Sequence, residues 1–250
     1  MALFARPLAF VVRKPLLGLL LAGLLAACAA QVPPSPPEPE TIAGYGEIED
    51  GGFTIARVPP EYVPEENRQA QVVYAGPERP GTIVIDPHHK YLFLVEDGGT
   101  AQRYRIAVGK EGRAFRGGAY VGRKAPWPYW APTANMIRTQ PELYADLAGG
   151  MAPGPDNPLG ARALYLYRNG RDTMFRIHGT GDYTSIGQAT SAGCIRLYNQ
   201  DILDLYERVS SGQQVKVRTL AEAVAIDGPI PETALPPSDG SAQDPAALSQ

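Results

Sequence analysis

TIVIDPHHKYLFLVEDGGTAQRYRIAV, residues 82–108, is the stretch that settles the class of fold. Thr82–Asp86 and Tyr91–Val95 are short, rich in β-branched and aromatic residues, and alternate apolar with other side chains, which predicts two strands. Asp97-Gly98-Gly99 supplies a turn, and Ala101–Val108 continues as a further strand. Between the first two strands lies a polar link containing His88 and His89. These two are read as solvated turn residues, because a metal site needs more ligands than this chain offers.

Working outward, Ala161–Tyr167 and Asp172–His178 flank a turn at Asn169-Gly170 and read as a hairpin. A brief helix can start with Pro141 in its first turn and end at Gly149. A better one starts at Asn199, a good N-cap, with Asp201 in the first turn, where the helix dipole favours a carboxylate. Ile202, Leu205, Tyr206 and Val209 then form one apolar face. After Gly212, Gln214–Arg218 reads as a last strand. The expectation is a mainly β domain with a few short helices and no internal repeat.

The flanks differ from this body. Residues 28–67 hold eight of the 25 prolines, with one Arg against eight acids, and residues 221–250 hold five acids and no base. Residues 68–220 carry 19 Lys and Arg against 13 Asp and Glu, so a basic body hides behind the overall charge of −3. The reading is a Pro-rich acidic tether over 28–67, an ordered domain over 68–220 and a flexible acidic tail over 221–250. A basic surface favours anionic partners.

Residues 1–27 have the layout of a secretory signal: Arg6, Arg13 and Lys14 are the only charges, and Pro15–Ala27 is a short apolar run ending in small residues. The run is short for a bilayer span. Leu25-Ala26-Ala27-Cys28 resembles the lipobox of exported lipoproteins, which implies a lipid thioether on Cys28 and a signal peptide covering 1–27. With Ala29 rather than Asp after Cys28, the analogy implies a lipid-anchored periplasmic protein of the outer rather than the inner membrane, and argues against nucleic acid as a partner. Cys28 and Cys194 are the only cysteines, so a lipidated Cys28 leaves a single thiol in an oxidising compartment. Such a thiol is either inert and buried or in use.

Two segments suggest use: Arg176-Ile177-His178-Gly179-Thr180 and Ser191-Ala192-Gly193-Cys194-Ile195-Arg196-Leu197. A cysteine nucleophile acts as its thiolate, and a neighbouring His is the usual activator. The His falls at the end of a strand and the Cys in a loop before a helix. Small residues in that loop let backbone N–H groups approach a developing oxyanion.

His-Gly-Thr followed by Ser-x-Gly-Cys-x-Arg-Leu resembles the signature of the L,D-transpeptidase catalytic domain family. The likeness runs from about Pro80 to Arg218 and includes Pro80–Asp86, Ala107-Val108-Gly109 and Asn157-Pro158-Leu159-Gly160-Ala161-Arg162-Ala163-Leu164. It implies a β-sandwich-like fold of mixed sheets and acyl transfer on peptidoglycan stem peptides without a cofactor or metal. Cys194 would attack the carbonyl of the third, diamino-acid residue and release the terminal D-Ala. The thioester would pass to an amine, either a second stem peptide in a cross-link or an envelope protein. By the same resemblance His178 is the base and the Gly179 carbonyl orients it. Gly193 and Cys194 offer oxyanion N–H groups, and Ser191 shapes the loop. Arg196 either holds a substrate carboxylate or makes a structural ion pair. The family commonly has His where this chain has Ala192, so a second imidazole is absent.

Trp127-Pro128-Tyr129-Trp130 is an aromatic insert near Arg123 and Lys124. Trp127 and Trp130 either face the acyl-donor groove, stacking on substrate, or form a local loop core. Two rival functions share these residues: a peptidoglycan hydrolase passing the thioester to water, and a non-catalytic lipoprotein that binds the wall.

Overall fold

The computed structural model describes residues 41–109, 115–189 and 195–231. Cys28, the signal peptide and the first part of the expected tether lie outside the described residues, as do Ser191, Ala192, Gly193, Cys194 and the tail from 232.

Chain order gives β1 (Ile48–Asp50), β2 (Phe53–Ile55), β3 (Ala70–Val73), β4 (Ile83–Asp86), β5 (Tyr91–Val95), β6 (Thr100–Arg105), β7 (Ala107–Val108) and β8 (Gly117–Pro126). Two short helices follow, α1 (Ala134–Thr139) and α2 (Pro141–Tyr144). Next come β9 (Arg162–Arg168), β10 (Arg171–Thr180), β11 (Ile195–Tyr198), α3 (Asn199–Arg208), β12 (Gln214–Val217) and α4 (Leu220–Asp227). β1 and β2 pair alone, and the other ten strands form one mixed sheet in the order β3-β6-β5-β4-β12-β8-β9-β10-β11-β7. Two of its pairings, β12 with β4 and β10 with β11, are parallel.

That sheet folds back on itself. Leu92, Leu94 and Tyr104 come from one end of the strand order and Leu164, Leu166, Ile177 and Leu197 from the other, yet all lie in one buried cluster with Ile202 and Leu205 of α3. The expected mainly β, sandwich-like architecture is therefore present. The hairpin turns fall where predicted: Asn169 and Gly170 both have positive φ, and Arg168 pairs with Arg171 across them. β8 had no sequence signal, since three glycines interrupt its alternation, but it lies between β12 and β9 and buries Ala119 and Val121.

Three expectations are corrected. The tether does not extend through residues 41–67. Tyr45, Ile55, Val58 and Val63 from this stretch are buried, with Tyr45 edge-on to Tyr198 at 5.4 Å. Proline content concealed this because the few apolar residues are spread thinly along the chain; Tyr45, Val58 and Val63 nevertheless join one cluster with Ala107, Ile186 and Tyr198, and Ile55 joins Trp127 and Ala161 in another. The acidic tail likewise begins later than residue 221, since α4 is capped by a reciprocal Thr219–Glu222 box and tied by Glu222 to Lys216 at 2.9 Å. Finally, Tyr198 is the N-cap of α3, making Asn199 its first helical residue. The Asn199 side chain instead accepts the N–H of Ala161 at 2.9 Å, joining α3 to the start of β9. Asp201 does lie in the first turn of α3, as expected, and is fully buried there.

Candidate active site

β10 ends in the residues that make the site. His178 pairs with Ala163 of β9 on one side and Arg196 of β11 on the other, so it sits between two strands and is 4% exposed. Its Nδ1 lies 2.7 Å from the carbonyl oxygen of Gly179. Since a carbonyl only accepts, Nδ1 carries the proton and Nε2 is left as the basic nitrogen. Burial pushes the His178 pKa down to about 4. The Gly179 carbonyl opposes this, and the positive charges of Arg196 and Arg176 add to it. The ring is thus neutral at pH 7.

Gly179 is small for a packing reason. A Cβ there would stand 2.2 Å from Oδ1 of Asn199 and 2.8 Å from Cγ2 of Ile202. The glycine of the motif lets α3 close on the strand that carries His178, and the backbone carbonyl that orients the imidazole comes with it.

His178 opens into a cleft of about 730 Å³. One wall is the stretch from Tyr129 through α1 and α2 to Leu147, and the other comes from Tyr165, Met174, Phe175 and Arg176 of the β9–β10 hairpin. Thr180, Asp182 and Arg196 border the His178 end. α1 and α2 contribute no buried residue, so this wall is held at its stems. There Trp130 and Met151 exchange backbone hydrogen bonds of 3.1 and 2.7 Å, while the Asn157 amide donates to the carbonyls of Pro128, Met151 and Ala152.

Residues 80–217 match the YkuD family, described as the L,D-transpeptidase catalytic domain. The chain belongs to that family. Among similar proteins, the probable L,D-transpeptidase ErfK/SrfK of Escherichia coli is 32% identical over 68% of this chain and 51% of its own length. The probable L,D-transpeptidase YbiS of the same organism is 39% identical over 48% of this chain and 35% of its own. The chain thus spans about half the length, or less, of these curated relatives. A crystal structure from Brucella melitensis, described as a probable carnitine operon oxidoreductase caia, shares 46% identity over 64% of this chain and 98% of that one. Its TM-score is 0.44.

Within this L,D-transpeptidase domain the expected site residues divide. His178, Arg196 and Trp130 line the cleft, with Gly179 behind His178 through its carbonyl and Arg196 Nη1 3.7 Å from Oδ2 of Asp182. Trp127 does not. It is buried against Phe53 at 4.6 Å, and its Nε1 donates to Asp50 at 2.7 Å, so the local-core alternative holds for it. The partners come from the β1–β2 hairpin, part of the stretch read as tether, which is why the sequence offered no core for Trp127 to join. Asp50 also receives two bonds from Arg162, at 2.7 and 2.8 Å.

Asp182, Arg176 and Met174 line the cleft and were not foreseen. Met174 is exposed, with φ of 64°, at a register shift between Asp172 and Arg176. A bulge re-aims side chains in a way that strict alternation cannot signal. Arg176 is held by two bonds to Asp172, at 2.7 and 2.9 Å.

His89 is not a solvated turn residue. Its Nδ1 lies 2.9 Å from Oδ2 of Asp86, and Oδ1 of Asp86 accepts the N–H groups of His88 and His89. Asp86, His89 and Asp227 are close enough to share a cation. Arg218 fills that role already, its guanidinium contacting Asp86 at 3.5 Å and bonding Asp227. We assign no metal to the group.

Proposed function

We propose that this protein is an envelope L,D-transpeptidase whose nucleophile is Cys194 and whose base is His178. The observation that carries the reading is the state of His178: neutral, oriented through Nδ1, and facing a cleft. Cys194 is bonded to Ile195, and Ile195 pairs with Ile177, the residue before His178. Nε2 takes the thiol proton as the sulfur attacks the third-residue carbonyl of a stem peptide. The bond to the terminal D-Ala breaks and the departing nitrogen takes the proton from His178. An amine then attacks the thioester, gives its proton to the same imidazole and restores the thiol. The N–H groups of Gly193 and Cys194 stabilise the oxyanion, with Ser191 shaping their loop.

The acceptor is an amine of a second stem peptide or of an envelope protein. The lipobox-like sequence at Cys28 supports lipid anchoring on the periplasmic side of the outer membrane. No cofactor is needed for this chemistry.

Carbapenem acylation tests the assignment. Intact mass of the domain should rise by one opened drug molecule, and Cys194→Ser should give no adduct. An adduct mapped to another residue removes Cys194 as the nucleophile.

A further inference from the structure

Residues 41–67 form a strap whose two arms are tied together. The Val58 N–H bonds the carbonyl of Tyr45 at 3.0 Å, and the buried Gln200 amide of α3 donates to the carbonyls of Gly46 and Ala56, at 3.0 Å each. Tyr45, Val58 and Val63 then pack on three places: Ala107 of β7, Ile186, and Tyr198 of β11. Polar contacts fix the same face. The Tyr198 hydroxyl donates to the carbonyl of Tyr62 at 2.5 Å and accepts the Asn67 amide at 3.2 Å, while the Tyr62 and Tyr183 rings lie 5.1 Å apart.

Those three places adjoin the points where the Cys194 segment is fastened. Cys194 lies outside the described residues, but Ala189 before it and Ile195 after it both pair with one residue, Val108 of β7. The Gly187 N–H bonds the Ile106 carbonyl and the Val108 N–H bonds that of Gln188, at 3.2 Å each. β7 is two residues long and ends the strand order of the sheet. So short an edge opens locally unless its side chains are buried, and Ala107 is buried in the strap's cluster.

We propose that the strap is part of the catalytic unit, with Tyr45, Val58 and Val63 as positioning residues that hold the Cys194 segment in place against His178. This rests on the transpeptidase reading and extends its machinery upstream of residues 80–217. None of the three lines the cleft, so they act through β7, Ile186 and Tyr198. Small displacements matter there, because a reacting atom misplaced by about 1 Å can cost about a hundredfold in rate.

The test measures D-Ala release from a tetrapeptide stem by wild type, Val63→Ala and Val84→Ala. Both valines are fully buried and lose the same methyl groups, but Val84 packs with Tyr74 and Phe93 in a separate cluster. At a temperature where all three proteins are folded, Val63→Ala should lower kcat about tenfold and leave KM within about twofold. Val84→Ala should leave both within about twofold. Hydrogen exchange at the Gly187 and Val108 amides is a readout independent of activity, and should quicken about tenfold in Val63→Ala alone. Should Val63→Ala not fold, Tyr198→Phe, which keeps the ring and removes only its hydroxyl bonds, carries the same expectation in direction. Equal losses of kcat in the two valine variants, or none in Val63→Ala, would overturn the positioning role. If wild type releases no D-Ala, the transpeptidase reading fails, and exchange then decides separately: selective quickening supports the strap's hold on these residues, and equal rates overturn it.

Discussion

Lowering the pH should destabilise this fold through one residue, His178, and the size of the effect follows from its surroundings. In the unfolded chain its imidazole titrates near 6.5, while burial and the two nearby arginines hold it at about 4 in the native state. Between those values the unfolded chain binds a proton that the folded one refuses, so stability is full above pH 6.5 and falls as pH drops toward 4. Linkage puts the loss at about 2 kcal/mol by pH 5 and about 3 kcal/mol by pH 4. Urea unfolding of wild type and His178→Gln, each at pH 7.5, 5 and 4, isolates this part, because other titrating groups are common to both. The chain has three histidines, so an NMR titration that loses one signal in the variant identifies the His178 ring directly. A native midpoint at or above 6.5, or identical pH slopes for the two proteins, would refute the account. A midpoint that high would mean a charged imidazole, and hence a preformed ion pair with a thiolate instead of a neutral base.

Other substitutions probe the rest of the structure. Asp201 is fully buried, neither of its oxygens has a hydrogen-bond partner among the described residues, and burial raises its pKa well above the usual range. Its cost therefore grows as pH rises above 3.8, at about 1.4 kcal/mol per unit until the native group ionises. Asp201→Asn should raise the Tm at pH 7 more than at pH 4, and an equal change at both would contradict this. Asp50→Ala removes the acceptor shared by Arg162 and Trp127 and should cost about 2 kcal/mol, with a shift in tryptophan emission. Unchanged fluorescence and stability would show that the hairpin is not needed there. Gly179→Ala pushes a methyl group into Asn199 and should cost about 1–3 kcal/mol and lower acylation, whereas wild-type behaviour in both would remove the close-packing argument.

The strands of the quoted stretch, the 169–170 turn and the apolar face of α3 were legible because each depends on residues close in sequence. Periodicity and turn chemistry report such local preferences directly. The His178–Gly179 pair was legible through family resemblance, as was the Gly179 carbonyl as the group that orients His178, whereas Ser191 and Cys194 lie outside the described residues. Long-range contacts decided the rest. Residues 41–67 looked like linker by composition, yet their scattered Tyr45, Ile55, Val58 and Val63 are buried by surfaces made from distant strands. Trp127 turned inward for the same reason, its partner Asp50 lying 77 residues away. His89 has its partner Asp86 only three residues away, but the Arg218 that completes this buried group reaches Asp86 only when β4 and β12 lie side by side. Asp182 carries no sequence signal either. It gains its place opposite Arg196 from the parallel pairing of β10 and β11, a contact between chain segments that periodicity, a local property, does not encode.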